Sequence, residues 1–222
     1  MKHLAAAIAL LAVCSAASAQ QGAAPVLTAA VAATQGARVA YAFDFQFDSA
    51  KGNLTAHFNP NASPHVTLTQ PAEAQLNDDQ RKVYDAVRQQ LDGVSWCASE
   101  RMGRIANMRV LREDADTTTY SFQPTPDSMR GPSAQFADRL RGELTMLNAN
   151  PDIAAIHIFT AAGFDPMLFV HIDRVDIAIS CATAPNGRRY AAQTISQTFG
   201  NAFGQAINDR NVQHVVNLSP AR

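Results

Sequence analysis

Apolar and polar residues alternate along RVAYAFDFQFDS: Val39, Tyr41, Phe43, Phe45 and Phe47 fall on one face, and Asp44, Gln46 and Asp48 on the other. A period of two is that of a strand with one face buried. A turn at residues 49–53 returns the chain into Leu54, Ala56 and Phe58, and Val66 and Leu68 continue the beat. Residues 38–70 therefore read as a meander of three antiparallel strands. The period then changes. In LNDDQRKVYDAVRQQLDG, Asn77 is placed to cap a helix, Gln80 completes a capping box, Asp78 and Asp79 sit at the positive end, and Gly93 is a stop. Val83, Val87 and Leu91 make an i, i+4, i+8 stripe, for which a sheet face is the available surface.

Strands are expected to resume around Trp96 and to run over 108–112 and 117–122, separated by the turn-like EDAD. Pro124-Thr125-Pro126 and Gly131-Pro132 interrupt the sheet, and Ser133 is placed to cap a short helix carrying Phe136 and Leu140. Leu144, Met146, Ile153, Ile156, Ile158 and Phe159 predict a hairpin around 148–152. In FVHIDRVDIAISC the rhythm slips: Val170 and Ile172 share one parity, whereas Val175, Ile177, Ile179 and Cys181 share the other. One extra residue near Asp173-Arg174, a β-bulge, restores a common inward face and lets a long strand curve. Pro185-Asn186-Gly187 then closes a hairpin, with Gly187 suited to a left-handed position. Upstream, the alanine-rich segment 20–37 reads as a short helix from Pro25 to a stop at Gly36, or as a flexible leader.

These elements predict a single α+β domain over 38–222, a strongly curved antiparallel β-sheet with two or three covering helices. A chain of 222 residues with 47% hydrophobic and 17% charged content is long enough for one sizeable core. A formal net charge of −1 gives no electrostatic reason to expect a nucleic-acid partner.

The start of the chain has the pattern of a secretory signal peptide over residues 1–19: Lys2 and His3, an apolar run over 4–13, and Ala17-Ser18-Ala19 as a small-x-small cleavage site. The run is too short to span a bilayer, and no later stretch reaches eighteen apolar residues, so no transmembrane segment is expected. The implied location is the periplasm. A second reading makes Cys14 a lipidated N-terminus of an outer-membrane lipoprotein, although Val13 stands where such sites place a small residue. Cleavage after Ala19 leaves Cys97 and Cys181 in an oxidising compartment. Their even number, with no metal-ligand spacing, predicts a disulfide, worth roughly 4 to 5 kcal/mol on the chain-entropy model.

The chain contains no Gly-x-Ser-x-Gly elbow, no phosphate-binding Gly-x-x-x-x-Gly-Lys and no His-Glu-x-x-His. His171 and Asp173, with His157 on a neighbouring strand, are the one grouping from which a metal or acid/base site could be built; outward positions of alternating strands explain them more simply. Asp44 and Asp48 read as a solvated face. Arg188 and Arg189 read as exposed residues beside a turn, and the glycines of FGNAFG as close packing at a strand end. No catalytic residue, metal or cofactor is assigned.

In layout, the chain resembles the LolA/LolB-like carriers of outer-membrane lipoproteins, a half-barrel family in which a curved antiparallel sheet is closed by helices over an apolar cavity, and the resemblance implies a half-barrel here. In YAFDFQF, LTQPAEAQLNDDQRK, SWCASE and AISCATAPNGRRY it is similar to a set of uncharacterised secreted proteins of Gram-negative bacteria. The resemblance is one of layout over most of 38–220, and no functional site of the carriers is transferred by it. Export, the aromatic inward face of the first strand, the bulged long strand and the lack of a catalytic constellation together lead to the expectation of a non-enzymatic periplasmic protein that binds a hydrophobic small molecule or a lipidated protein. The apolar faces of the strands make Tyr41, Phe43, Phe45, Phe47, Phe58, Leu68, Val170 and Ile172 the candidate cavity residues. Two other readings are an envelope interaction or assembly protein with a filled core, and a hydrolase built on His157, His171 and Asp173.

Overall fold

The computed structural model describes residues 24–129 and 131–221. The expected signal peptide, Cys14 and the first residues of the alanine-rich segment lie outside the described residues. Helix α1 (Pro25–Gly36) begins with its proline at the first helical position, where the missing N–H costs nothing. Strands β1 (Tyr41–Ser49), β2 (Leu54–Phe58) and β3 (Val66–Gln70) form the meander, and helix α2 (Asp78–Gln90) follows. Asn77 accepts the Gln80 N–H at 2.8 Å and donates its own N–H to the Gln80 side chain at 3.0 Å, so the capping box is closed.

The remaining strands are β4 (Ala106–Glu113), β5 (Thr117–Gln123), β6 (Leu140–Leu147), β7 (Ile153–Thr160), β8 (Phe164–Met167), β9 (Val170–Thr183), β10 (Arg189–Ala202) and β11 (Gln205–Pro220). They join in one antiparallel sheet of order β3-β2-β1-β11-β10-β9-β7-β6-β5-β4, with β8 paired to β9. The first and last strands are neighbours, with Phe45 opposite Val215 and Phe47 opposite Gln213. The sheet is unclosed, its two edges being β3 and β4.

Register explains where the core lies. A single row crosses the sheet through Phe47, Gln213, Thr194, Ile179, Ile156, Leu144 and Tyr120. All these side chains share one face, because cross-strand partners point the same way. Both helices pack on it. Leu27, Ala30 and Val31 of α1 join Leu144, Met146, Ile153 and Ile156, whereas Val83 and Val87 of α2, and Leu91 just after it, pack with Phe43, Phe45, Leu54 and Phe58. Gly142 lies in β6 where an added Cβ would overlap the Phe122 ring, so its missing side chain lets that ring lie across the strand.

The slip in β9 is a bulge. Arg174 faces Phe199 and Ile172 faces Gly200, leaving Asp173 as the extra residue. A second bulge, which no break in the alternation announces, puts Ala192 outside the pairing between Ala191 and Gln193. Cys97 and Cys181 form a disulfide across 84 residues. Gly187 has φ of +80°, as the hairpin turn requires.

Three expectations need correction. Trp96 is not in a strand; it makes one isolated bridge to Tyr190, within a segment otherwise held by the disulfide and a short 3-10 turn at Met102–Arg104. The short helix near Ser133 is a 3-10 segment, Gly131–Arg139, and Leu140 already belongs to β6. Arg188 is buried, with 9% of its surface exposed. Its guanidinium meets Asp152 at 3.0 Å and donates to Thr34 Oγ1 at 3.2 Å and to the Ala30 carbonyl at 3.3 Å, tying the β9–β10 hairpin to α1.

Candidate functional site

Two cavities open on the helix-bearing face. The first, of about 340 Å³, lies between α2 and the sheet, with Phe43, Phe45 and Phe47 of β1 facing Val83 and Val87 of α2 and Leu91 just after it. The second, of about 620 Å³, is walled by Ile156, Ile158, Ile177 and Ile179 on the sheet side and by Trp96, Met102 and Met129 from the loops, with Arg38, Asp92 and Arg101 also in its lining. Gly93, Ser95, Ala191, Thr194 and Gln213 belong to the walls of both. The site is thus one region with an aromatic lobe and an aliphatic lobe on either side of a polar strip. Both volumes fall in the range of about 300–1,000 Å³ typical of small-molecule sites.

The local sequence explains this construction. Period-two aromatics give β1 a tall apolar wall, while helical spacing turns the α2 stripe toward it. Tyr84 is the one buried residue of α2; its hydroxyl accepts the Leu68 N–H at 3.1 Å, holding the helix to the edge strand β3. Gln80 donates to the Asn53 carbonyl at 2.9 Å and Asn77 to the Lys51 carbonyl at 3.3 Å, so the N-terminal half of α2 is fastened to the β1–β2 turn. Val87 and Leu91, in its second half and just beyond it, face the cavity.

Of the eight candidate cavity residues, Phe43, Phe45 and Phe47 line the aromatic lobe. Phe58 and Leu68 pack behind them, with the Phe58 ring stacked on Phe43 at 5.0 Å. Tyr41 belongs to a separate cluster with Tyr190 and Trp96, and its hydroxyl accepts the Asn186 N–H. Val170 and Ile172 keep the inward parity but lie beyond both lobes, toward the far ends of β9 and β10. Sequence reasoning missed Val87, Leu91, Thr194 and Gln213 as lining residues. The α2 stripe was visible as a stripe; the polar pair carried no signal, since Thr and Gln in alternating strands ordinarily face solvent.

The candidate acid/base residues do not converge. His157 points to the opposite face, where it meets Asp176 at 3.2 Å and packs on the Phe159 ring. It stands opposite Ala178, seven positions along β9 from His171, roughly 23 Å away at strand spacing. His171 lies between Asp165 at 2.6 Å and Asp173 at 3.4 Å, and the Asp165 hydrogen bond holds its imidazole above the ordinary histidine value. Asp44, read as solvated, accepts from the Asn217 side chain at 2.7 Å and meets His57 at 2.7 Å; the Asn217 hydrogen bond, ahead of that from His57, keeps its carboxyl below the usual value. Burial pushes the Asp152 carboxyl up, against the opposing pull of the Ile153 N–H and Arg188. Among the described residues no group of three or more His, Cys, Asp or Glu side chains is placed to hold a metal ion. No described helix is long and apolar enough to cross a membrane.

Comparison with known proteins adds no assignment: no family model, no curated protein and no solved structure matches the chain.

Proposed function

We propose that this protein is a non-enzymatic periplasmic binder of an acyl chain, free or carried by a lipidated partner, and that its unclosed sheet curls as a half-barrel around the chain. The observation that carries this reading is the pair of cavities on the helix-bearing face, walled by Phe43, Phe45 and Phe47 opposite Val83, Val87 and Leu91, and joined through shared residues to a second lobe of isoleucines. The bulges at Asp173 and Ala192 support curvature, because each extra residue bends its strand and increases local twist. Burial supplies the affinity: at about 0.8 kcal/mol per CH₂, enclosing about eight methylenes contributes about 6 kcal/mol before the cost of association. Thr194 and Gln213, with Ser95, are the polar residues shared by both lobes, and they would orient a carboxyl or ester.

Titration of the protein with an environment-sensitive apolar dye, followed by displacement with a long-chain fatty acid, tests the proposal. Saturable dye binding reversed by the fatty acid is expected, and Val87→Asp should weaken both by at least tenfold. A protein that binds neither, with its fold intact by circular dichroism, would instead be an interaction protein whose apolar walls close on themselves.

A further inference from the structure

The three longest strands, β9, β10 and β11, outrun the rest of the sheet. Pairing of β7 with β9 reaches only Asp176, and pairing of β1 with β11 reaches only Asn211. Beyond these points β9, β10 and β11 continue together, joined by the short β8, to two hairpin ends about six residues further on, a projection of roughly 20 Å. Neither helix cluster includes residues from this arm beyond Val175.

Among the described residues, the ends of the arm carry the most exposed large apolar side chains. Met167, Leu168, Phe169 and Phe203 are 62%, 77%, 67% and 73% exposed, above every other large apolar residue described. The two ends are bound into one unit: the Phe203 N–H donates to the Phe169 carbonyl at 2.8 Å, and the two rings lie 6.2 Å apart. Both phenylalanines occupy the left-handed region, with φ of +62° at Phe169 and +52° at Phe203. Bulky residues are rare there, and a two-residue loop of the kind formed by Phe203-Gly204 favours Asn-Gly. The sequence therefore sets aromatic rings at positions where Asn or Gly would be easier for the backbone, and it buries neither ring. That combination points to a role outside the folded chain.

We infer that the paired β8–β9 and β10–β11 hairpin ends are a bilayer-docking tip, inserted into the apolar region of a lipid surface through Met167, Leu168, Phe169 and Phe203. The size of the patch decides against a second protein chain: four such side chains expose roughly 500–600 Å², short of the roughly 800 Å² per partner that a stable interface buries. Its shape agrees, since a protruding tip enters lipid readily but offers little flat area for a protein. Behind the tip stand Asp165, His171, Asp173 and Arg174, a band of mixed sign and close to neutral. Attachment should therefore rest on apolar insertion, not on attraction to anionic headgroups. The inference goes beyond the proposed function and does not depend on either cavity being filled.

The test is co-flotation of the full chain with unilamellar vesicles of phosphatidylcholine alone and with added phosphatidylglycerol, together with Phe203→Trp as a depth reporter. The protein should float with both compositions, and the emission that the introduced indole adds to that of Trp96 should shift to the blue and be quenched by brominated acyl chains. The double variant F169N/F203N relieves the left-handed strain, so its melting temperature should equal or exceed that of the parent while its floated fraction falls at least tenfold. A lowered melting temperature in that variant would give the rings a structural role and overturn the inference. Equal flotation of parent and variant would overturn it, as would an unshifted spectrum from the introduced indole. Concentration-dependent self-association that the double variant abolishes, without lipid binding, would make the tip a protein contact and overturn it too.

Discussion

The two helices sit on the same sheet face but are held in different ways. Helix α1 buries Leu27, Ala30, Val31 and Thr34, and Arg188 reaches it from the β9–β10 hairpin while paired with Asp152. The nearby turn adds the Asn186 side chain, donating to the Ala37 carbonyl at 2.7 Å. Helix α2 buries Tyr84 alone and keeps its apolar stripe half-covered above Phe43, Phe45 and Phe47. Directly under α1 the sheet is filled by Leu144, Met146 and Ile153, and open volume begins only at Ile156 and Ile158 on the margin of that cluster, whereas α2 stands directly over unfilled volume. The difference teaches that the same operation, an amphipathic helix laid on a sheet, yields a latch where polar bonds and dense packing fix it, and a lid where they fasten one half only.

The sharpest way to break the contrast is at the latch. Asp152→Ala leaves Arg188 buried without its carboxylate and should cost about 3–5 kcal/mol in denaturant unfolding, the usual penalty for an orphaned buried charge. A loss below about 1 kcal/mol would mean that α1 needs no latch. Next comes the disulfide between Cys97 and Cys181, which closes the segment beside Trp96 onto the end of β9. The double variant C97A/C181A should lose about 2–5 kcal/mol by the same measurement. On the lid side the effects shrink: Asn77→Ala opens the capping box and should cost about 1 kcal/mol. The contrast fails if Asn77→Ala proves as damaging as Asp152→Ala.

The smallest effects are those of pH. Asp44 has a folded value below its ordinary 3.8, so its stabilising contribution is present above that value and is lost as pH falls through the lower folded one. Asn217→Ala removes the leading cause, and carbon-detected NMR titration should show the Asp44 carboxyl moving back up. For His171 the sign is opposite. Its folded value is raised above 6.5, so its contribution is complete below that value and fades as pH rises through the raised one. Asp165→Asn should bring the His171 titration down.

Much of the lid side was legible because local chemistry governs it. The aromatic alternation of β1, the Asn77–Gln80 capping box and the stripe of α2 are short-range signals, and each forms as read. The parity switch at Asp173 marked the bulge for the same reason. The middle of the sheet was not legible. On the inward face of β10 and β11, Thr194, Ser196, Asn211 and Gln213 interrupt the apolar beat, so those strands carry no clean period of their own, and β11 is set in the sheet by pairing with the sequence-distant β1. Nor was the latch visible. Asp152 and Arg188 are 36 residues apart, and each sits beside a turn where a charge ordinarily meets water. The exposed tip carried no signal, since an apolar run such as Met167-Leu168-Phe169 does not differ from core until the fold places it at the end of a hairpin.

The central claim is that the volume beneath α2 takes an acyl chain. Native mass spectrometry of the full chain incubated with palmitate tests it most directly. A retained one-to-one adduct is expected in the parent, the same adduct in Asn208→Ala on the arm, and its loss in Val87→Asp, where a carboxylate would enter the aromatic lobe. Absence of the adduct in the parent, or equal retention by Val87→Asp, would contradict it.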